Sequence, residues 1–334
     1  MATIQDVAKD AGVSTATVSR VLSAPERVSE ATRARVMAAV DRLGYAPNVA
    51  AKSLRTLRTE KILVTVPDIS NPFFSQVIRG VEEAASAAGY SVLLGDTRGE
   101  EAREEQFARM LRRREADGLI FLGHHLSPAL AEMVAALGPK APVVNGCEYS
   151  PELGVSSAHI DNERAAAEAM EHLYALGHRR IGVITGPLVS PLSRDRLAGV
   201  TKAARRHGCE ADLAVATGDF SIDSGRREAE ALLAREAPPT AIFCFSDEMA
   251  MGALAALRRR DLRCPRDVSV VGFDDTRYAG MLDPPLTSVS QPMEDIGREV
   301  VALLLEILSG ASAGPRQVTL PHRLALRESS GPAP

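Results

Sequence analysis

Hydrophobic positions along the chain fall into two regimes. In the first 45 residues they recur at helical spacing, and beyond Lys61 short apolar runs alternate with amphipathic stretches. "TIQDVAKDAG" opens on a Thr3–Asp6 capping box, aligns Ile4, Val7, Ala8 and Ala11 on one face, and stops at Gly12. "STATVSRVL" opens on Ser14 and turns Val18, Val21 and Leu22 inward. "SEATRARVMAAVDRLG" opens on Ser29, carries Val36, Val40 and Leu43 at helical spacing, and ends at Gly44. Only Gly12 and Val13 separate the first stretch from the cap of the second, which is the short glycine-containing turn of a helix-turn-helix.

In the second regime "KILVTVPD" precedes a helix through "SQVIRGVEEAASAAG", "YSVLLGD" precedes "EEAREEQFARMLRRRE", and "DGLIFLG" precedes "PALAEMVAALG". "APVVNG" follows. The rhythm restarts after "NERAAAEAMEHLYALG" with "HRRIGVITG" and helices through "RLAGVTKAARRHG" and "GRREAEALLARE". "TAIFCFSD", "EMAMGALAALRRR" and "DVSVVGFDD" complete it. Such alternation predicts parallel sheets covered by helices on both faces. Two sets predict two similar subdomains, with a cleft at the carboxyl ends of the strands. The tail "TSVSQPMEDIGREVVALLLEILSG" is expected to cross back to the first subdomain.

Composition, 45% hydrophobic and 25% charged, is that of an ordinary globular chain. No run of about 18 uncharged apolar residues appears, so no membrane partner is expected. The start "MATIQDVAKDAGV" lacks the basic-then-apolar order of a signal peptide. Cys147, Cys209, Cys244 and Cys264 stand far apart without a CxxC pair, which suits a reducing compartment and a cytoplasmic location. Charge changes the picture more. Residues 1–59 hold nine basic and five acidic residues, a surplus of four, whereas the whole chain carries −4, leaving −8 on the remainder. A basic head on an acidic body points to a polyanion partner.

The second helix carries the candidate chemistry of that head. Thr15, Ala16, Thr17, Ser19 and Arg20 give it a small, polar outer face able to enter a major groove. Arg20 suits the bidentate guanine contact and the Ala16 methyl suits a thymine methyl. Hydroxyls on Ser14, Thr17 and Ser19 suit phosphate oxygens near a helix N-terminus.

In the body, enzyme signatures are missing: there is no GxxxxGK[ST], no GxGxxG after a strand and no GxSxG elbow. An enzyme is not expected, nor is a cofactor or a metal. His124 and His125 lack partners at ligand spacing and are expected as plain surface residues, and the clusters Arg112–Arg114 and Arg258–Arg260 as helix-dipole compensation. Around strand ends stand Phe73, Phe74 and Phe220, with Arg196, Asp161 and Asp274. Aromatic faces with a guanidinium and carboxylates suit a flat base attached to a polyol.

The first 56 residues, "TIQDVAKDAGVSTATVSRVLSAPERVSEATRARVMAAVDRLGYAPNVAAKSLRT" above all, resemble the headpiece and hinge of the LacI-type (lactose/purine repressor) family. In the body, "VPDISNPFFSQVIRGVE", "AHIDN", "GDF", "PPTAIFCFSDEMAMGAL", "VSVVGFDD" and "PPLTSVSQP" resemble its periplasmic-binding-protein-like effector domain. Within the family "VPDISNPFFSQVIRG", "YSPEL" and the "PL" of "GPLVSPLSRDRLAG" look most like the cytidine repressor branch, although "AAKSLRT" is similar to the purine-repressor type of hinge. Ser190, Leu192 and Ser193 lack the polar set of the purine repressor, which turns the expectation from a purine base to a nucleoside or pentose.

The resemblance implies an N-terminal all-α helix-turn-helix headpiece plus an α/β periplasmic-binding-protein-like domain of two parallel-sheet subdomains. It places the headpiece at 1–46, a hinge at 47–59 and the effector-binding and dimerisation domain at 60–334. The N-subdomain is expected over about 60–161 and 291–320, the C-subdomain over about 162–290 and 321–330. It implies a homodimeric repressor on a near-palindromic double-stranded DNA operator, with a nucleoside such as cytidine, or else a sugar, as effector.

The same resemblance implies base contacts from Thr15, Ala16 and Arg20, and phosphate contacts from Thr3, Ser14, Thr17, Ser29, Thr32 and Tyr45. It puts Lys52, Leu54 and Arg55 in the minor groove, Leu54 as an apolar wedge. Around the effector it sets Phe73, Phe74, Asp161, Arg196, Phe220 and Asp274. The remaining readings are a solute-binding protein, which needs a signal peptide and no headpiece, and a nucleoside- or sugar-processing enzyme using Asp161 or Asp274 as a base.

Overall fold

The structure, a computed structural model, describes residues 2–46, 56, 58–149 and 151–334. Its contacts divide the chain into two compact units, Met1–Thr59 and Glu60–Pro334.

In the first unit α1 (Ile4–Ala11), α2 (Thr15–Ser23) and α3 (Glu30–Leu43) surround a small core of Val7, Ala8, Ala11, Val18, Val21, Val36 and Ala39. The Thr3–Asp6 capping box forms, and Gly12 ends α1 with φ 62°, a left-handed conformation that glycine adopts without strain. The inward face of α3 is Val36 and Ala39 with Val40 packed beside them, while the exposed Arg42 pairs with Asp10 at 2.6 Å. Leu43, the last residue of α3 and expected on that face, is 38% exposed.

The second unit holds two six-stranded sheets. β1 (Lys61–Val66), β2 (Ser91–Asp96), β3 (Gly118–Phe121), β4 (Val143–Gly146), β5 (Ser156–Ile160) and β11 (Gln317–Leu320) build the first lobe, in the order β11-β5-β4-β3-β1-β2, all parallel. β6 (Ile181–Thr185), β7 (Leu213–Thr217), β8 (Ala241–Cys244), β9 (Ser269–Asp274), β10 (Thr287–Ser290) and β12 (Arg323–Ala325) build the second, in the order β12-β10-β9-β8-β6-β7. The parallel expectation fails at one edge: β12 runs antiparallel to β10, because the chain returns from the first lobe in a short link after β11. Three links join the lobes, after β5, after β10 and after β11.

Helices α4 (Pro72–Ala87), α5 (Glu101–Arg112) and α6 (Pro128–Leu137) cover the first sheet. Helices α7 (Asn162–Ala175), α8 (Pro191–Arg206), α9 (Ile222–Leu233) and α10 (Asp247–Arg259) cover the second. The last helix, α11 (Met293–Ser309), returns to pack on α4 and on the first sheet. It crosses α4 at Gly80 and Gly297, where a Cβ on either would stand 2.0 Å or 2.2 Å from a carbonyl oxygen of the partner helix. Arg260, just past α10, donates to the carbonyls of Glu230 (3.1 Å) and Leu233 (3.3 Å) on α9, so the second basic cluster closes a neighbouring helix as well as its own. Among the described residues no helix is long and apolar enough to cross a membrane.

Candidate functional site

α2 presents Thr15, Ala16 and Arg20 to solvent, while Val18 and Val21 anchor its other face. Arg20 makes no ion pair among the described residues. Ser14 caps the helix through the Thr17 amide at 3.1 Å, and its hydroxyl lies 2.9 Å from that of Thr17. Thr3 and Ser29 are exposed at the heads of α1 and α3, with Thr32 and Tyr45 half-buried beside the core. Ser29 bonds the Thr32 hydroxyl at 3.0 Å instead of a backbone amide. Lys52, Leu54 and Arg55 lie outside the described residues.

Between the two lobes of the second unit lies a cleft of about 570 Å³. Phe73 and Phe74 enter it from the first turn of α4, their rings 5.2 Å apart and edge to face at 76°. Asn71 sets their position by capping the Phe73 amide at 2.9 Å. Phe220 enters from the second lobe with φ 70°, its ring filling the space above Gly186 that any Cβ there would take.

Arg196 and Asp274 form the charged floor. Arg196 stands in the second turn of α8, not at a strand end, and is 3% exposed. Its guanidinium lies 3.6 Å from the centre of the Phe273 ring and donates to Asn162 Oδ1 at 2.9 Å and to the Phe245 carbonyl. Burial pushes its pKa down to about 10, against the pull of the Asp274 and Glu148 carboxylates. Asp274, at the end of β9 with φ 108°, accepts from Gln291 Nε2 at 2.8 Å. Burial raises its pKa well above the usual carboxylate range, Arg196 opposing.

Asp161 is not among the cleft residues. It caps α7 by accepting the Arg164 amide at 2.9 Å, and it lines, with Glu163, Arg164 and Lys202, a separate groove on α7 and α8. His124, expected on plain surface, lines the cleft half-buried, and burial lowers its pKa. Its neighbour His125 points away to Glu104 at 3.1 Å. Among the described residues no group of three or more His, Cys, Asp or Glu is placed to hold a metal ion.

The family profile for bacterial regulatory proteins of the lacI family matches residues 3–48, and that for the periplasmic binding protein-like domain matches residues 170–330. The chain is 42% identical to the HTH-type transcriptional repressor CytR of Escherichia coli (strain K12), over 100% of this chain and 97% of that one. The chain belongs to the LacI family. It is accordingly a sequence-specific DNA-binding transcriptional regulator and not an enzyme. The crystal structure of the lac repressor dimer bound to operator and the anti-inducer ONPF superimposes with a TM-score of 0.88 at 30% identity, covering 99% of each chain. A LacI family regulator from Enterococcus faecium with bound ribose superimposes with a TM-score of 0.73 at 27% identity, covering 82% of this chain and 100% of that one.

Several cleft residues of this LacI-family regulator escape sequence reasoning. Glu148 and Gln291 are 6% exposed, and Glu148 accepts from the Ser190 hydroxyl of the opposite lobe at 3.1 and 3.2 Å. Glu148 stands two residues past β4, so the rule that ligands meet strand carboxyl ends could have singled it out. Gln291, the residue directly after β10, carries the same signal.

Proposed function

We propose that this regulator is a homodimeric repressor of near-palindromic operators, and that its effector is a nucleoside, cytidine foremost, held between the lobes. The observation that carries the reading is the pairing, in one cleft, of three aromatic rings with the buried Arg196 and Asp274. The base stacks among Phe73, Phe74 and Phe220, contributed by both lobes, so that binding favours the lobes coming together. The sugar hydroxyls meet Arg196, which donates, and Asp274, which can also donate when it carries a proton.

Two headpieces read the two halves of the operator, so dimer symmetry is mirrored in the DNA. Arg20 takes a guanine edge; Thr15 and Ala16 approach neighbouring bases; Thr3, Ser14, Thr17, Ser29, Thr32 and Tyr45 hold phosphates. Lys52, Leu54 and Arg55 of the 47–59 hinge engage the minor groove. The effector acts on DNA only by binding two lobe arrangements with different affinity.

A pentose alone is the second reading, favoured by the ribose bound to the Enterococcus faecium relative. Thermal unfolding with cytidine, the other nucleosides and ribose separates the two, with operator titration at fixed salt as a second readout. A cytidine-induced rise in melting temperature and a change in operator affinity, without turnover, is the expected result. Turnover of the nucleoside, or a response to ribose alone, overturns it.

A further inference from the structure

Six carboxyl side chains line the cleft: Asp68 and Glu148 from the first lobe, and Asp219, Asp223, Glu248 and Asp274 from the second. Among the described residues only two guanidinium groups stand against them: one is already paired and the other is buried at the floor. Arg98 pairs with Asp96 at 3.3 Å, and Arg196 is committed to Asn162 and the Phe245 carbonyl beneath the Phe273 ring.

The other feature that recruits anions is the amide array at a helix N-terminus. Four helices begin at this cleft, and each already has an acceptor. Asn71 caps α4, Ser221 caps α9 at 3.1 Å and Ser246 caps α10 at 3.2 Å. α8 has no side-chain cap of its own; Glu148 of the other lobe supplies a carboxylate to its first turn.

We propose that the cleft selects against charge as well as for shape: it admits an uncharged ring-and-polyol ligand and rejects the phosphate ester of the same molecule. This rests on the proposed function for the ligand class and adds the rule by which that class is separated from its phosphorylated forms. The physical basis is that a phosphate brought into the cleft meets Asp68 from the first lobe and Glu248 from the second, both of which line it. The exposed guanidinium, Arg98, is already paired with Asp96, Arg196 lies buried at the floor where it serves the sugar hydroxyls, and each helix end is capped, so little offsets the desolvation of a phosphate.

Isothermal titration of the full-length protein with two matched pairs tests the rule: cytidine against cytidine 5′-monophosphate, and ribose against ribose 5-phosphate. In the pair whose parent binds, the ester is expected to bind on the order of 100-fold more weakly, the size of effect that like-charge juxtaposition produces. Because Asp68, Asp219 and Asp223 are exposed, raising the salt to about 0.5 M narrows the gap. The Asp68→Asn/Glu248→Gln double variant narrows it by about tenfold, as expected when two like charges are removed. An ester binding within threefold of its parent at low salt overturns the proposal, as does a gap unmoved by both salt and the double variant. If ribose binds and cytidine does not, the nucleoside reading falls while the ribose pair still decides the charge rule.

Discussion

Glu148, just past β4 in the first lobe, accepts hydrogen bonds from Ser190 at the head of α8 in the second, at 3.1 and 3.2 Å to its two oxygens. The amide of Leu192 is directed at the same carboxyl. A helix of one lobe is thus capped by an acid of the other, a contact that exists only while the lobes are together. Burial is the largest influence on Glu148 and pushes its pKa up to about 7, although Ser190, Arg196 and the amide favour the anion.

A pH dependence follows from that shift. In the unfolded chain Glu148 titrates near 4.5, so between there and about 7 the folded protein holds a proton that the unfolded chain has released. Its contribution to stability is full below the unfolded value and is lost as pH rises through this window. Asp247, buried and also raised to about 7 by burial, acts in the same direction. For Glu148 the loss is about 3 kcal/mol, which corresponds to a melting temperature lower by roughly 5–10 °C. Melting curves from pH 5 to pH 8 should show a smaller decline for Glu148→Gln than for the native chain. Equal declines would remove Glu148 as the source.

Arg196 is the residue on which effector binding should depend most. Replacing it by Met removes the donor to the ligand and leaves the Phe245 carbonyl, Asn162 and Asp274 without their cation. Stability of the body should fall by about 3–5 kcal/mol, the usual cost of removing one partner from a buried charged arrangement. The headpiece has a separate core, so operator binding by the folded protein should persist while its response to effector disappears. Operator titrations with and without cytidine check both halves, and a retained response refutes the assignment.

The α4–α11 crossing predicts a sharp sensitivity at Gly297. A methyl there would meet the Val77 carbonyl oxygen at 2.2 Å, against helix backbone that cannot yield locally. Gly297→Ala should cost about 1–3 kcal/mol, the range for overpacking in a well-filled interface. Gly89, with φ 80° and open space around it, offers the contrast of a backbone requirement without a packing one. Denaturant titration of Gly297→Ala measures the cost, and an unchanged midpoint would mean that the helices slide apart freely.

Strong periodicity made much of this fold legible in the sequence. The three headpiece helices and the strands "KILVTV", "GLIF" and "SVVGFD" read directly, because each is a long apolar run or a capped amphipathic face. β5 did not: "SSAHI" is polar in composition yet buried, since Ser157 is satisfied by His159 and by Gln317 from β11, some 160 residues away. β7, β11 and β12 escaped as short edge strands with mixed burial. The cleft followed the same division. Phe73, Phe74, Phe220, Arg196 and Asp274 stand out by residue type in their motifs, whereas Glu148 acquires its meaning from a serine 42 positions later. Asp161 misled because a helix cap and a ligand carboxylate look alike in a sequence.

The headpiece offers the cleanest separation of specificity from affinity. Arg20 projects from the exposed face of α2 with no acidic partner among the described residues, so it is free to donate two parallel hydrogen bonds to a guanine edge. Arg20→Ala should weaken binding to the specific operator by about 1–3 kcal/mol. It should leave binding to unrelated duplex almost unchanged, and shift the salt slope by at most about one unit. Ser14→Ala should behave differently. Its hydroxyl caps α2 and stands beside Thr17, so its loss should lower headpiece stability by about 0.5–2 kcal/mol and weaken specific and non-specific binding together. Fluorescence titrations of both variants, on operator and on scrambled duplex at several salt concentrations, distinguish the two roles. Equal losses on the two duplexes for Arg20→Ala would move Arg20 from the bases to the backbone.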